Sequence, residues 1–239
     1  MHVLTVGTDK PRVRATRDDF IPPAYRARTW TSWSLRPSAA GLSSLPGGGA
    51  EILSDRVRAI ICPNKATHAE WLDCMRTAHE LGIRTNASMM YGHIETVEER
   101  IDHLLALRDL QDETGGFQAF MLFPFHPENT ALGAEKKLVR VGSWEDMKML
   151  ALSRLVLDNV AHFKAFWVML TQPIAQLALG FGADDLDGTI GEEKIIHAAG
   201  AQTQTGITRR ELDAMIREAG YVPVERDTFY QPIAAGEGA

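Results

Sequence analysis

The fold of this chain is organised around the sequence Leu45-Pro46-Gly47-Gly48-Gly49-Ala50-Glu51. Three consecutive glycines after a proline exclude a helix or strand interior, because glycine adopts positive φ and lets other groups approach the backbone. An apolar strand is predicted before the turn at Leu42–Leu45, and a helix after it near Glu51–Ala59. This order is typical of α/β enzymes that bind a polar small molecule at the carboxyl end of a sheet. It also fits a purely structural tight turn, and it is neither a P-loop nor a G-x-G-x-x-G fingerprint.

Strand-then-helix units continue along the rest of the chain. Further strands are predicted at Ile83–Met90, Phe117–Phe125, Phe163–Leu170 and Gly180–Ala183, with a terminal strand at Tyr221–Val224. Capping boxes, in which a Thr hydroxyl and a following Glu satisfy the first helical N–H groups, predict helix starts at Thr67, Thr96 and Thr208. Thr189 is predicted to cap another helix. This alternation predicts an α/β fold with a parallel sheet, and about five such units are too few to close an eight-stranded barrel.

Composition limits the class of protein. The 239 residues are 45% hydrophobic and 23% charged, with a net charge of −6 and a pI near 5.8, which favours a globular protein with a small-molecule substrate over a nucleic-acid partner. Two cysteines predict no disulfide framework and a cytoplasmic location, and no apolar run is long enough for a membrane span. The tryptophans Trp71, Trp144 and Trp167 are predicted to lie in the core.

Four motifs in the same order resemble one enzyme family. They are residues 45–51, Tyr91-Gly92-His93-Ile94-Glu95-Thr96, residues 110–117 (LQDETGGF) and Phe125-His126-Pro127-Glu128-Asn129-Thr130. Together they resemble the radical S-adenosylmethionine (SAM) enzymes of the futalosine route to menaquinone. Residues 181–189 (FGADDLDGT) and 223–227 (PVERD) are most similar to the aminofutalosine synthase branch of that family.

The resemblance implies a TIM-like radical-SAM barrel, of which only the C-terminal part, about five βα units, is present as an incomplete, open barrel. It also implies a [4Fe–4S] cluster held by a Cys-x3-Cys-x2-Cys motif and SAM as cofactors. The implied reaction adds the 5′-deoxyadenosyl radical from SAM to 3-[(1-carboxyvinyl)oxy]benzoate and yields 6-amino-6-deoxyfutalosine.

The cluster motif is missing from this sequence. Cys62 and Cys74 stand too far apart to replace it, and both are interpreted as structural. We therefore expect an N-terminally truncated or frameshifted family member. Residues 1–38 are expected to be an irregular leader unrelated to the family, residues 39–231 a partial barrel with C-terminal helices, and residues 232–239 a frayed tail.

The resemblance and the loop positions together suggest two groups of site residues. The residues expected to contact the cofactor SAM are Gly47, Gly48, Gly49, Glu51, Asn86, Tyr91, His93 and Glu95. The residues expected to contact the substrate are His126, Asn129, Asp184 and Asp185. Some of these residues have a structural alternative: helix or loop capping for Glu51, His93 and the aspartates, and backbone pairing for Asn86. No catalytic residue and no metal ligand is assigned.

Three functional hypotheses remain open at this stage. The first is a radical-SAM transferase of the aminofutalosine synthase type. The second is a catalytically inactive barrel fragment that binds a nucleoside or a partner chain, with an open sheet edge that favours self-association. The third is a sibling enzyme of the cyclic dehypoxanthine futalosine synthase type.

Overall fold

The computed structural model describes residues 2–6, 41–190, 194–201, 203 and 206–233. The strands in these ranges are β1 (His2–Val6), β2 (Ser44–Leu45), β3 (Arg84–Tyr91), β4 (Phe117–Pro124), β5 (His162–Lys164) and β6 (Val222–Arg226). The helices are α1 (Asp55–Ile61), α2 (His68–Glu80), α3 (Val97–Thr114), α4 (Ala131–Lys136), α5 (Ser143–Val156), α6 (Trp167–Leu170), α7 (Gln172–Ala178), α8 (Lys194–Ala198) and α9 (Arg209–Glu218). A 3₁₀ turn spans Leu179–Phe181.

The strands pair in parallel, as the alternating pattern predicts. One run has the order β2-β3-β4-β5, and β6 pairs with β1. A parallel bridge between Lys164 and Asp185 extends the first run beyond β5. The register shifts between β3 and β4, so that Thr85 pairs with Phe117 and Asn86 with Ala119. This arrangement confirms the α/β fold class.

Local capping signals in the sequence are confirmed. Thr67, Thr96 and Thr208 each accept a hydrogen bond from the backbone N–H three residues later, and the Glu at that position bonds back. The helix predicted after the glycine turn begins later than expected. Its N-cap is Ser54, so Glu51 lies in the loop before the helix and not in its first turn.

Two strand predictions are wrong, and the cause is tertiary packing. Of the predicted strand Phe163–Leu170, only Phe163 and Lys164 lie in a strand, and Trp167–Leu170 is a helical turn in which Trp167 is fully buried. Gly180–Ala183 is not a strand, because the chain there closes the 3₁₀ turn with Gly182 at φ 110°. A buried apolar run does not by itself distinguish a strand from a short buried helix.

The core lies between the outer face of the sheet and the helices. Its largest fully buried side chains include Trp167, Phe117, Phe120, Phe163 and Tyr91. Trp71 is also buried, but Trp144 is 74% exposed, so its prediction as a core residue is wrong. Trp144 is the second residue of α5 and is not among the buried residues of that helix.

The remaining domain predictions fall mostly on undescribed positions. β1 is a strand within the leader that was expected to be irregular, and residues 7–40 lie outside the described ranges. At the other end, Pro232 pairs with Arg226, and residues 234–239 lie outside the description. The helix predicted after Thr189 is α8, and residues 191–193 before it are not described. None of the helices in the described part of the chain has the length and apolar character needed to cross a lipid bilayer.

Candidate functional site

The glycine turn lies directly against β3. Gly47 has φ 66°, and a Cβ built on it would stand 1.6 Å from the carbonyl oxygen of Asn86. Only glycine permits this approach, because a side chain would collide with the neighbouring backbone. Gly48 and Gly49 have open space where a Cβ would be, and Gly49 also has positive φ. The turn is therefore fixed to β3 at Gly47 and open at the next two residues.

A buried arginine holds the carbonyl groups of this turn. Arg58 of α1 is 4% exposed, and its guanidinium donates to the carbonyl oxygens of Gly49 at 3.2 Å and Ala50 at 2.5 Å. Its Nε donates to Ala66 O at 2.8 Å. Trp71 Nε1 donates to Gly48 O at 3.1 Å. The sequence analysis missed Arg58, although an arginine in the helix after a glycine turn is a detectable signal.

Glu51 has a strained backbone and a charged partner. Its φ is 46°, which is unusual for a residue with a side chain. Its carboxylate accepts a hydrogen bond from Lys65 Nζ at 2.6 Å, and its carbonyl oxygen accepts from Met90 N at 2.6 Å. Glu51 thus ties the glycine turn to the end of β3.

The register of β3 separates two predicted site residues. Residues two apart on a strand share a face, so Asn86 and Tyr91 lie on opposite faces. Asn86 lines the interior of the open barrel, and its Oδ1 is buried without a hydrogen-bond partner. Tyr91 faces the helices, is fully buried, and donates from Oη to Asp146 Oδ1 at 2.5 Å. The structure therefore does not bring these two residues together.

The loop after β3 is closed on itself. Glu95 accepts hydrogen bonds from Gly92 N at 2.5 Å, His93 N at 2.9 Å and Arg100 Nε at 2.8 Å. The side chains of His93 and Glu95 are both 0% exposed, with Nδ1 of His93 2.8 Å from Glu95 Oε2. Burial opposes the charged form of Glu95, but these hydrogen bonds and His93 outweigh it and lower its pKa to about 2. In this structure both side chains serve as internal partners of the loop.

The predicted substrate residues after β4 behave differently from each other. His126 is buried, and its Nε2 lies 3.1 Å from Met169 O. Burial lowers its pKa below the usual range, which favours the neutral imidazole. Asn129 is exposed, and its backbone N–H donates to Ala199 O at 3.1 Å. Both residues follow the carboxyl end of β4, as expected for the rim of a barrel.

The predicted aspartates are both engaged by neighbouring side chains of the protein. Asp184 accepts from Phe163 N at 2.7 Å, and its other oxygen lies 2.8 Å from His162 Nδ1. Asp185 is 0% exposed and accepts from Arg226 Nε at 2.8 Å. Burial raises the pKa of Asp185, and the charge of Arg226 opposes that shift. Neither aspartate caps a helix in the described structure.

A cavity of about 280 Å³ lies inside the open barrel. Its wall combines two apolar residues, five neutral polar residues and two cations: Ser44, Leu45, Pro46, Asn86, Gln118, Lys164, Arg226, Thr228 and Tyr230. Asn86 and Gln118 lie in the first halves of β3 and β4, so this interior cavity lies nearer the amino ends of the strands than the rim loops do. Of the twelve predicted residues, only Asn86 lines it, and Lys164, Arg226 and Tyr230 were missed. A lysine in the otherwise apolar segment 163–170 was the available signal.

The residues of this chain do not fit an iron–sulfur cluster. The sequence contains two cysteines, whereas such clusters need several thiolates at short spacing. Cys62 is buried, Cys74 is half-buried, and burial raises the pKa of both thiols, which disfavours the thiolate that a metal requires. No group of three metal-binding side chains occurs in the described part of the chain. SAM fits better, because the turn is open at Gly48 and Gly49 and the nearby Asn86 Oδ1 has no partner.

Comparison with known proteins identifies the relatives of this chain. The family model described as "CofH/MqnC C-terminal region" matches residues 114–237. An aminodeoxyfutalosine synthase from Thermus thermophilus is 45% identical, over 92% of this chain and 63% of the relative. A 5-amino-6-(D-ribitylamino)uracil–L-tyrosine 4-hydroxyphenyl transferase from Methanosarcina acetivorans is 47% identical, over 85% of this chain and 55% of the relative. The chain therefore spans less than two thirds of the length of these relatives.

A solved structure supports the fold. The hydrogenase maturase HydG superposes with a TM-score of 0.54 at 16% identity, covering 78% of this chain and 40% of HydG. At this identity the likeness concerns the fold alone. It agrees with an α/β arrangement that corresponds to part of a larger barrel.

Proposed function

This chain belongs to the CofH/MqnC family of radical SAM enzymes, and from that premise we propose that it is the substrate-holding part of an aminofutalosine synthase of menaquinone biosynthesis. The whole enzyme would join the 5′-deoxyadenosyl group of SAM to 3-[(1-carboxyvinyl)oxy]benzoate and yield 6-amino-6-deoxyfutalosine. The observation that carries the proposal is the 45% identity with the Thermus thermophilus aminodeoxyfutalosine synthase over 92% of the chain.

The residues of the chain support binding and not radical formation. In this family a [4Fe–4S] cluster supplies the electron that cleaves SAM. The two cysteines here do not hold such a cluster, so that step is not one that these residues perform. The residues of this chain form an open glycine turn, held by Arg58, and a polar interior cavity beside it. We assign to them the binding and orientation of SAM and of the aromatic substrate.

Three alternatives give different products or none. The 47% identity with the Methanosarcina acetivorans enzyme favours transfer of a 4-hydroxyphenyl group from tyrosine as the main competitor. The second alternative is the sibling enzyme of the cyclic dehypoxanthine futalosine synthase type that the sequence motifs leave open. The lack of cluster cysteines favours an inactive barrel fragment that at most binds a nucleoside or a partner chain.

A chimera tests the proposal. The Thermus thermophilus residues that precede the matched region would be fused to this chain, reconstituted anaerobically with iron and sulfide, and supplied with SAM and each candidate substrate in turn. We expect 6-amino-6-deoxyfutalosine, identified by mass spectrometry, from 3-[(1-carboxyvinyl)oxy]benzoate. A hydroxyphenyl adduct of 5-amino-6-(D-ribitylamino)uracil, or a cyclised futalosine, would replace the proposal with that alternative. A chimera that contains its cluster and cleaves SAM but makes no adduct would support the inactive fragment.

A further inference from the structure

The wall of the interior cavity is rich in hydrogen-bond donors and lacks carboxylates. Lys164 and Arg226 contribute two cations, while Ser44, Gln118 and Tyr230 contribute further N–H or O–H groups. None of the nine lining residues, all of them described, is Asp or Glu. A wall of this composition presents hydrogen-bond donors, which suit an acceptor such as a carboxylate oxygen.

The two cations are fixed from outside the cavity. Asp187 Oδ1 accepts from Lys164 Nζ at 2.6 Å, and Asp185 accepts from Arg226. Asp187 in turn bonds through its backbone N–H to Asp185 Oδ1 at 2.6 Å. An ammonium group carries three donors, so this one bond leaves Lys164 able to bind a second oxygen.

Tyr230 enters the wall from the segment after β6. Its ring stacks on His162, with centroids 3.8 Å apart and planes 7° apart, and the guanidinium of Arg226 lies 4.0 Å from its centroid on a cation–π contact. Its backbone has φ 62°, and Asp227 Oδ1 holds the turn by accepting from Phe229 N and Gln231 N. Strained backbone that is held this firmly is typical of functional positions.

Two polar atoms in this wall have no partner. Tyr230 Oη and Asn86 Oδ1 are buried and have no partner with hydrogen-bond geometry among the described residues, while the carboxylate of Asp185 lies close enough to Tyr230 Oη to interact with it. A buried polar group without a partner costs about 1–3 kcal/mol, so such groups occur where a ligand or water completes them. Burial, followed by the charge of Asp185, raises the pKa of Tyr230, so the phenol remains a hydrogen-bond donor.

We propose that the interior cavity binds the carboxylate of a small organic acid whose apolar body lies against Leu45 and Pro46. Lys164 and Tyr230 donate to the carboxylate. The volume of about 280 Å³ is near the lower end for ligand pockets and suits a molecule the size of a substituted benzoate. This inference rests on the proposed function, which makes the benzoate end of 3-[(1-carboxyvinyl)oxy]benzoate the natural ligand of the cavity.

Binding to the purified full chain tests this site without turnover. The probes are 3-[(1-carboxyvinyl)oxy]benzoate, benzoate, methyl benzoate and L-tyrosine, titrated by calorimetry. We expect both benzoates to bind and methyl benzoate, which lacks the charge, to bind at least roughly tenfold more weakly. Tyr230→Phe, which keeps the ring stacked on His162, and Lys164→Met should each raise the Kd of benzoate roughly tenfold.

Matched controls separate this effect from general damage. Tyr221→Phe removes a phenol that donates to Leu179 O, outside the cavity, and Lys148→Met removes an exposed lysine paired with Glu145. Neither should change the Kd. The site is refuted if no probe binds the wild-type chain, or if Tyr230→Phe folds normally and leaves the Kd of benzoate unchanged. A third outcome separates the site from its natural ligand. If benzoate binds as expected but 3-[(1-carboxyvinyl)oxy]benzoate binds no more tightly than L-tyrosine, the cavity is a carboxylate site and the proposed substrate is wrong.

Discussion

The carboxylate of Asp185 and the guanidinium of Arg226 form a buried ion pair, with side-chain exposures of 0% and 3%. Arg226 Nε donates to Asp185 Oδ2 at 2.8 Å, and Asp185 Oδ1 accepts from the backbone of Asp187. The pair joins the end of β6 to the segment that bridges to β5. Among the described strands β5 and β6 do not pair with each other, so this ion pair links them through side chains.

Removal of Arg226 alone should destabilise the protein strongly. Arg226→Met leaves the buried charge of Asp185 without a partner, and we expect a loss of about 3–5 kcal/mol in the free energy of unfolding, measured in urea. The double variant Arg226→Met/Asp185→Leu should recover much of that loss, because neither charge remains. If the double variant is as unstable as Arg226→Met, the loss of stability comes from the packing of the Arg226 side chain and not from the ion pair.

The first two glycines of the turn, Gly47 and Gly48, should respond differently to substitution by alanine. Gly47→Ala places a Cβ 1.6 Å from Asn86 O at φ 66°, and we expect at least about 3 kcal/mol of destabilisation. Gly48→Ala meets no atom within 4 Å and should stay within about 0.5 kcal/mol of the wild type. Thermal unfolding of both variants measures the difference. Equal effects would contradict the close approach of the turn to β3.

Arg58 should be far more sensitive to lysine substitution than its neighbour Arg56. A lysine at position 58 cannot span the carbonyl groups of Gly49, Ala50 and Ala66, so we expect Arg58→Lys to cost about 2–4 kcal/mol. The side chain of Arg56 is 54% exposed and paired with Glu99, so Arg56→Lys should change stability by less than about 1 kcal/mol. Urea unfolding compares the stability of the two variants. A small effect of Arg58→Lys would show that Arg58 does not hold the glycine turn in place.

Acidification should destabilise the fold through His103. This residue is 0% exposed, its Nδ1 accepts from Leu53 N at 3.0 Å, and burial lowers its pKa to about 3. An unfolded histidine titrates near 6.5, so the unfolded state takes up the proton first and stability falls as pH drops from about 6.5 towards 3.

The variant His103→Asn keeps an acceptor and lacks this titration. Between pH 7 and 4 the wild type should lose up to about 3 kcal/mol more than this variant, measured by urea unfolding at each pH. His79, whose pKa burial lowers to about 4, contributes equally to both proteins and cancels in the difference. Parallel pH profiles of the two proteins would disprove the role of His103.

Iron reconstitution should leave this chain without a four-iron cluster. Anaerobic incubation with iron and sulfide, followed by desalting and analysis of both elements, should give no stoichiometric content, because two separated cysteines cannot bind the cluster. A radical SAM enzyme with the three-cysteine motif, treated identically, is the positive control. Stoichiometric iron and sulfide on this chain would mean that other residues serve as ligands.

The sequence placed several candidate residues on loops after the strands, but it did not indicate which side chains surround them. The loops at 92–95 and 126–129 do follow the carboxyl ends of β3 and β4. That His93 and Glu95 turn inward on each other, and that Asp185 meets Arg226, depends on which side chains fold against them. The partner of Asp185, Arg226, lies 41 residues further along the sequence, and local sequence patterns do not indicate contacts between such distant residues.

The sequence by itself determined the parallel α/β order, the glycine turn and the capping boxes at Thr67, Thr96 and Thr208. Each depends on backbone freedom, hydrophobic period or a bond across three residues, all of which act within a few positions of the chain. The tertiary structure alone decided that Trp167 begins a helix, that Trp144 is exposed and that Tyr230 enters the interior cavity. These outcomes depend on which distant surfaces meet, because burial is shared between segments and no single segment specifies it.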